Sequence, residues 1–85
     1  MKHVEIYTGP LCAFCDRAKA LLSKKGVSFK EIDLASDPNK MEEMIKKTNG
    51  AKTVPQIFIG EHHVGGNAEL QILEKNGKLN SLLGI

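Results

Sequence analysis

The two cysteines of the chain, Cys12 and Cys15, are the residues whose type and spacing point most directly to chemistry. A disulfide across so short a loop would be a poor structural staple, because stabilisation by loop closure grows with loop length. A zinc site would need two further ligands, and the histidines lie far from zinc-finger spacing. The Cys-x-x-Cys pair therefore favours redox or cluster chemistry over a structural metal site or two inert thiols.

The composition limits the classes of function that this pair can serve. The chain has 85 residues and a mass of 9.3 kDa, which predicts one domain over residues 1–85. Hydrophobic residues make up 41% of it and charged residues 26%, so we expect it to fold. The net charge is only +2, with one Tyr, three Phe and no Trp available to stack on bases. These values argue against a nucleic-acid partner.

The sequence also offers no segment suited to a membrane. No apolar run approaches the ~20 residues that a bilayer-spanning helix needs. Glu5 interrupts the first residues before the apolar core of a signal peptide can form. An oxidising, secretory environment is therefore not indicated, and we expect a soluble, cytoplasmic protein.

A strand, a turn and a helix are predicted to position the two cysteines. Residues 2–7 alternate between apolar and polar side chains, as a strand does, and residues 8–10 have the composition of a turn. A helix is predicted from about residue 13 to residue 25, with Gly26 just past its end. Its apolar residues at helical spacing are Phe14, Ala18, Leu21 and Leu22. Cys12 is thus expected at the N-terminal end of this helix.

A second strand and a second helix follow. The strand is predicted over residues 27–33, and the helix starts with Asp37 as its N-cap and Pro38 at its first position. Asn49 and Gly50 end it. One face of this helix carries Met41, Met44, Ile45 and Thr48. At this spacing the methionines are interpreted as core residues and not as a ligand surface.

The next segment predicts a β-hairpin. Strands over residues 56–59 and 62–64 flank the two-residue turn Gly60-Glu61. His62 and His63 are adjacent in the second strand, so their side chains point to opposite faces and cannot share one metal ion.

The last part of the chain predicts two further helices. Gly65-Gly66 is followed by Asn67, the expected N-cap of a helix that ends at Gly77, and residues 79–83 form a short closing helix. The order is therefore βαβ, helix, hairpin, helix. A right-handed βαβ crossover gives one parallel pair, and the hairpin adds antiparallel strands to the same sheet. We predict an α/β fold with a mixed four-stranded sheet flanked by helices.

Four segments together resemble a dithiol glutaredoxin of the short bacterial type. They are Tyr7-Thr8, Cys12-Ala13-Phe14-Cys15, Thr53-Val54-Pro55-Gln56 and Gly65-Gly66. The resemblance covers essentially the whole chain and implies a single glutaredoxin domain with a thioredoxin-like fold (β-α-β-α-β-β-α). The activity that it implies is glutathione-dependent thiol–disulfide exchange, with no resident metal.

The two cysteines receive different roles. Cys12 lies at a helix N-terminus, where free N–H groups and the positive end of the helix dipole favour a thiolate and lower the thiol pKa below ~8.5. Cys15, three residues later, is on the same side of that turn, so the sulfurs can reach bonding distance. We therefore expect Cys12 to be the more exposed nucleophile and Cys15 to be the resolving thiol.

The resemblance also implies the glutathione-binding residues. It implies a cis bond before Pro55, which presents the backbone of Val54 to the extended tripeptide, although a proline here can also simply mark the end of a loop. Gly65-Gly66 by itself reads as a flexible turn, yet before a helix start it forms an anion site for the γ-glutamyl carboxylate. The implied glutathione-binding residues are Phe14, Thr53, Val54, Pro55, Gly66, Asn67 and Ala68.

Three departures from the family pattern bear on glutathione affinity and redox potential. Cys-Ala-Phe-Cys replaces the usual Cys-Pro-Tyr-Cys, which leaves a backbone N–H at Ala13 near the sulfur of Cys12. Gly9 stands where relatives often carry a lysine. Asn67-Ala68-Glu69 replaces Cys-Asp-Asp or Cys-Ser-Asp, and we expect Glu69 to be available to the glutathione ammonium group.

The predicted function is reduction of protein disulfides and protein–glutathione mixed disulfides by a monomer, with glutathione reductase acting indirectly through glutathione. The alternative is a dimer that binds a [2Fe–2S] cluster through Cys12 and glutathione, since relatives without the motif proline can do this and Ala13 meets that condition. A redoxin recycled by thioredoxin reductase ranks third because the chain keeps the Gly-Gly site. A true thioredoxin ranks below it because no tryptophan precedes the cysteines.

Overall fold

The order of strands and helices in the computed structural model, which describes residues 2–85, is the predicted one. The elements are β1 (Val4–Thr8), α1 (Ala13–Lys24), β2 (Lys30–Asp33), α2 (Lys40–Lys47), β3 (Gln56–Ile59), β4 (His62–Gly65), α3 (Asn67–Lys75) and α4 (Leu79–Leu83). Within residues 2–85, no helix has the length and apolar character required to cross a bilayer.

The sheet brings three chain segments to one end. Its strand order is β2-β1-β3-β4, with β1 parallel to β2 and antiparallel to β3, and β3 antiparallel to β4. The register pairs Tyr7 with Gln56 and Ile57 with Gly65. The chain that leaves β1, the chain that enters β3 and the chain that leaves β4 therefore meet at the same edge. This confirms the predicted mixed four-stranded sheet and places residues 9–12, 53–55 and 65–67 together.

One face of the sheet packs against α1 and α3 through aliphatic side chains. Ala18 and Leu22 of α1 and Leu70 of α3 are fully buried there. The buried cluster consists of Val4, Ile6, Ala18, Leu22, Val27, Ile57, Ile59, Val64, Leu70, Leu79 and Leu83. Alternate residues of β1 and β3 point to this face, as the period of a strand requires. The apolar contacts hold the start of α1 against the end of β1.

The opposite face lies under α2. Met44 is fully buried and packs with Tyr7, Ile32 and Phe58, while Met41 lies against this cluster. The methionines are therefore core residues, as their spacing predicts. Tyr7 and Phe58 meet edge to face, with ring centroids 6.0 Å apart.

The predicted starts of β2 and α2 are wrong. Strand β2 begins at Lys30 instead of residue 27, because Val27 turns inward from the loop to join the aliphatic cluster. Helix α2 begins at Lys40 with Asn39 as its N-cap. Asp37 belongs to the turn before it, where its carbonyl accepts a hydrogen bond from the Lys40 N–H at 3.1 Å. The Asp-Pro pair thus marks a turn and not the helix start.

Candidate active site

The first cysteine occupies the N-cap of α1. Cys12 has extended backbone angles (φ −112°, ψ 97°), and its Sγ accepts a hydrogen bond from the Cys15 N–H at 3.0 Å. Free N–H groups and the positive end of the helix dipole both favour negative charge on a sulfur placed there. The N–H that meets the sulfur is that of Cys15, one turn along, and not that of Ala13. The position predicted for Cys12 is confirmed.

The two cysteines differ in access to solvent. Cys15 is only 1% exposed, whereas Cys12 is partly exposed. Their Cα atoms are 5.2 Å apart and their Sγ atoms lie at disulfide-bonding distance. An external disulfide can therefore reach Cys12, while Cys15 can reach only the sulfur of its neighbour.

The loop before β3 passes beside the exposed sulfur. The Val54–Pro55 bond is cis, as the family pattern implies. The Val54 carbonyl oxygen lies 3.9 Å from the Cys12 Sγ. This backbone segment is consequently next to any group that is bonded to that sulfur.

A groove of about 270 Å³ adjoins the same loop. Its walls are formed by Phe14, Thr53, Val54, Pro55, Gln56, Gly66, Asn67, Ala68 and Glu69. The structure thus brings together every residue that was predicted to bind glutathione. It also includes Glu69, which was expected near the glutathione ammonium group, and it adds Gln56.

Phe14 does not take the inward position that helical spacing suggested. Its side chain is 58% exposed at the edge of the groove, with the Arg17 guanidinium 5.5 Å from the ring centroid. Cys15, Ala18 and Leu22 occupy the buried stripe of α1 instead. Cys15 therefore occupies the inward face of the first turn of α1. The Phe14 ring remains exposed and available to a ligand.

The start of α3 also differs from expectation. Gly66, and not Asn67, is the N-cap, and Asn67 is a buried first residue whose Oδ1 accepts a hydrogen bond from Gln71. The Glu69 Oε1 accepts the Gly66 N–H at 2.7 Å. A Cβ on Gly65 would lie 2.9 Å from that oxygen, and Gly65 has φ +112°, so only glycine fits. The Glu69 carboxylate thus already binds the Gly66 N–H, which is one donor of the site expected to bind an anion.

Gln56 is the buried polar residue of the groove that the sequence reasoning missed. Its amide contacts Thr53 on one side and His63 on the other. The available signal was the strand alternation, which places Gln56 on the same face as Phe58 and Tyr7, where a buried amide needs partners.

A family model described as Glutaredoxin matches residues 4–64. The chain belongs to the glutaredoxin family. It is 53% identical over 83 residues to Glutaredoxin 3 of Escherichia coli strain K12, covering 98% of this chain and 99% of that protein. As a glutaredoxin with both motif cysteines at the start of a helix, it is a thiol–disulfide oxidoreductase.

Solved structures agree with the fold. The solution structure of a glutaredoxin from Brucella melitensis has a TM-score of 0.82 and 52% identity, covering 98% of this chain and 89% of the other. The crystal structure of a buckwheat glutaredoxin–glutathione complex has a TM-score of 0.87 and 26% identity, covering 98% and 77%. The thioredoxin-like fold implied by the sequence is confirmed.

Proposed function

We propose that the protein is a glutathione-dependent oxidoreductase that reduces protein–glutathione mixed disulfides and protein disulfides through Cys12 and Cys15. The observation that carries this proposal is the position of the Cys12 sulfur, 3.9 Å from the Val54 carbonyl oxygen at the wall of the groove. The related buckwheat protein, whose fold is the same, has been solved as a complex with glutathione.

The reaction begins at Cys12. Its thiolate attacks the glutathione sulfur of a mixed disulfide, forms a new S–S bond and releases the substrate protein as a thiolate that takes up a proton. A second glutathione thiolate then attacks the bound glutathione, which yields glutathione disulfide and free Cys12. A lowered thiol pKa raises the thiolate fraction but weakens the nucleophile by a similar factor. Its main benefit is that Cys12 becomes a good leaving group in the second step.

Cys15 is needed when the substrate is a disulfide within or between proteins. After Cys12 has formed a mixed disulfide with one substrate sulfur, the buried Cys15 thiolate attacks Cys12 and releases the reduced protein. The resulting Cys12–Cys15 disulfide is reduced by two glutathione molecules. Glutathione reductase reduces the glutathione disulfide with NADPH, so it acts on this protein only indirectly.

The groove supplies the glutathione contacts. The backbone of Val54 pairs with the extended tripeptide as a neighbouring strand would, and Thr53 offers a hydroxyl beside it. The Gly66, Asn67 and Ala68 N–H groups at the start of α3 receive the γ-glutamyl carboxylate. That carboxylate replaces Glu69 at the Gly66 N–H, which frees Glu69 for the adjacent ammonium group.

The division of labour between the cysteines is tested with Cys15→Ser. We expect this variant to retain reduction of a glutathionylated peptide and to lose reduction of a protein disulfide. Cys12→Ser is the matched control, because it removes the nucleophile and should abolish both activities. If a folded Cys15→Ser variant is inactive toward both substrates, the assigned roles are wrong.

A second candidate is a dimer that binds a [2Fe–2S] cluster through Cys12 and one glutathione from each chain. Ala13 in place of the motif proline favours it, because it removes a ring beside Cys12. Among residues 2–85, no group of three or more His, Cys, Asp or Glu side chains could hold a metal ion alone. A brown dimer after anaerobic purification with glutathione would support this candidate, whereas a colourless monomer would contradict it.

The way in which the cysteine pair would be regenerated also supports a location. A dithiol that is regenerated by glutathione needs a compartment where glutathione is kept reduced. We therefore propose that the protein works in the cytoplasm as a monomer, on glutathionylated or disulfide-containing proteins.

A further inference from the structure

A chain of three side chains leads from the outer strand of the sheet into the groove. His63 Nε2 lies 2.7 Å from Gln56 Oε1. On its other side, Gln56 Nε2 lies 3.0 Å from the Thr53 carbonyl oxygen and 3.3 Å from Thr53 Oγ1. Thr53 and Gln56 both line the groove, while His63 lies outside its lining.

The direction of these hydrogen bonds follows from the groups involved. The Thr53 carbonyl oxygen can only accept, so the atom of Gln56 that faces it must be the NH₂ group. The opposite atom is then Oε1, which can only accept, so His63 donates from a protonated Nε2. The Thr53 carbonyl oxygen therefore sets the orientation of the Gln56 amide, and His63 completes it by donating to Oε1.

The position of the His63 ring is set by the core. The ring stacks on Phe58, with centroids 4.8 Å apart and an angle of 22° between the planes. Phe58 is buried and directly opposite His63 in the β3–β4 pair. The neighbouring His62 pairs with Ile59, and the alternation of a strand directs its side chain to the other face.

This orientation determines what the Thr53 hydroxyl can do. A hydroxyl group has one hydrogen to donate and lone pairs that accept. The Gln56 NH₂ group occupies an accepting position of Oγ1, so the hydrogen of the hydroxyl remains available to the groove. Hydrogen bonds arranged in one direction also polarise one another, which strengthens the last donor of the chain.

We propose that His63 is a positioning residue for glutathione binding: it fixes the amide of Gln56 so that the Thr53 hydroxyl donates a hydrogen bond to the bound tripeptide. This inference rests on the proposed function and adds to it a residue outside the groove. Without the His63 donor, Oε1 of the buried amide loses this partner, and the Gln56 side chain is no longer held against Thr53. The Thr53 hydroxyl then loses the NH₂ group that keeps its hydrogen directed to the ligand.

The test compares His63→Leu with His62→Leu, which removes the adjacent histidine from the other face. Activity is measured over a range of concentrations of a glutathionylated peptide, whose glutathione part occupies the groove, at a fixed concentration of free glutathione. Loss of one hydrogen bond to that glutathione should raise the KM for the peptide about fivefold in His63→Leu. We expect an unchanged kcat, because Cys12 is untouched, and wild-type values of both parameters in His62→Leu.

Two further variants separate positioning from a general structural effect. His63→Gln supplies another N–H donor and should restore most of the lost affinity. Thr53→Val removes the hydroxyl at nearly constant shape and should raise the KM for the glutathionylated peptide by a similar factor. Because His63 acts through that hydroxyl, adding His63→Leu to Thr53→Val should have almost no further effect on KM.

Each outcome bears on the proposal. Equal KM values in the two histidine variants overturn the role of His63 and leave the proposed function intact. A wild-type KM in Thr53→Val overturns it as well, and this readout stands even if His63→Leu fails to fold. Independent, additive effects of His63→Leu and Thr53→Val also contradict it. A wild-type protein that does not reduce the glutathionylated peptide overturns the proposed function and this inference together.

Discussion

The sheet face against α1 and α3 buries aliphatic side chains, whereas the face under α2 combines aromatic rings with charges and amides. On the first face, residues such as Ile6 and Leu22 contribute by apolar contact alone. On the second, Tyr7 donates a hydrogen bond to Glu43 at 2.6 Å, and the Lys47 ammonium lies 4.4 Å from the centroid of Phe58. Directional contacts are therefore concentrated on one face.

The two faces of the sheet have different roles. The aliphatic face holds α1, and with it the cysteine pair, in place against the sheet. The polar and aromatic face extends through Gln56 and His63 to the groove. Changes to the first face should reduce the free energy of unfolding, while changes to the second should alter pH dependence and ligand affinity at small cost in stability.

The largest effect is expected on the aliphatic face. Leu22→Ala removes a fully buried side chain from α1 and leaves a cavity. The free energy of unfolding should fall by about 3 kcal/mol, measured by urea denaturation. The folded variant should keep the wild-type KM for a glutathionylated peptide at low temperature. A loss below about 1 kcal/mol would show that this face does not carry the stability assigned to it.

A smaller effect is expected from Tyr7→Phe on the other face. The variant keeps the ring but removes the hydroxyl that donates to Glu43, which should cost about 1 kcal/mol near neutral pH. The hydrogen bond from Tyr7 is the main reason that the pKa of Glu43 lies below its ordinary value. Burial and this carboxylate raise the pKa of Tyr7.

The sign of the pH dependence follows from the lowered carboxyl pKa. Such a group adds stability above its unfolded pKa, ~4.3, and this stability is lost as the pH falls through the lower folded pKa. The advantage of the wild-type protein over Tyr7→Phe should therefore be complete near pH ~6 and shrink below pH ~4. Glu5 and Glu31 also have lowered pKa values, mainly from hydrogen bonds with His3 and Thr8, but both are unchanged in the variant. A constant difference across this range would contradict the assignment.

Much of the fold followed from alternation and turn chemistry. The hairpin is as predicted because Gly60, with φ +61°, lies where a two-residue turn needs it. The start of α2 was wrong because Asp-Pro favours a turn as readily as a helix start. The predicted N-cap of α3, Asn67, was one residue too late. The N-cap is Gly66, and its N–H donates to the Glu69 side chain.

The site was predictable where it follows a motif and unpredictable where it depends on contacts across strands. The cysteine pair, the Thr53–Pro55 loop and the Gly-Gly turn were found from sequence. The link between Gln56 and His63 was not, because it depends on the register of β3 and β4, which shifts between Ile57 and Phe58. No local pattern reveals which side chains that irregularity brings together.

The proposed function requires that the sulfur of reduced Cys12 is ionised at neutral pH, which we expect because it caps α1 and accepts the Cys15 N–H. The most direct test is the alkylation rate of Cys12 with iodoacetamide as a function of pH, in the Cys15→Ser variant so that one thiol reacts. We predict that the rate has already levelled off at pH ~7, with a midpoint well below the ~8.5 of an ordinary cysteine. A rate that keeps rising to a midpoint at ~8.5 or above would contradict the account.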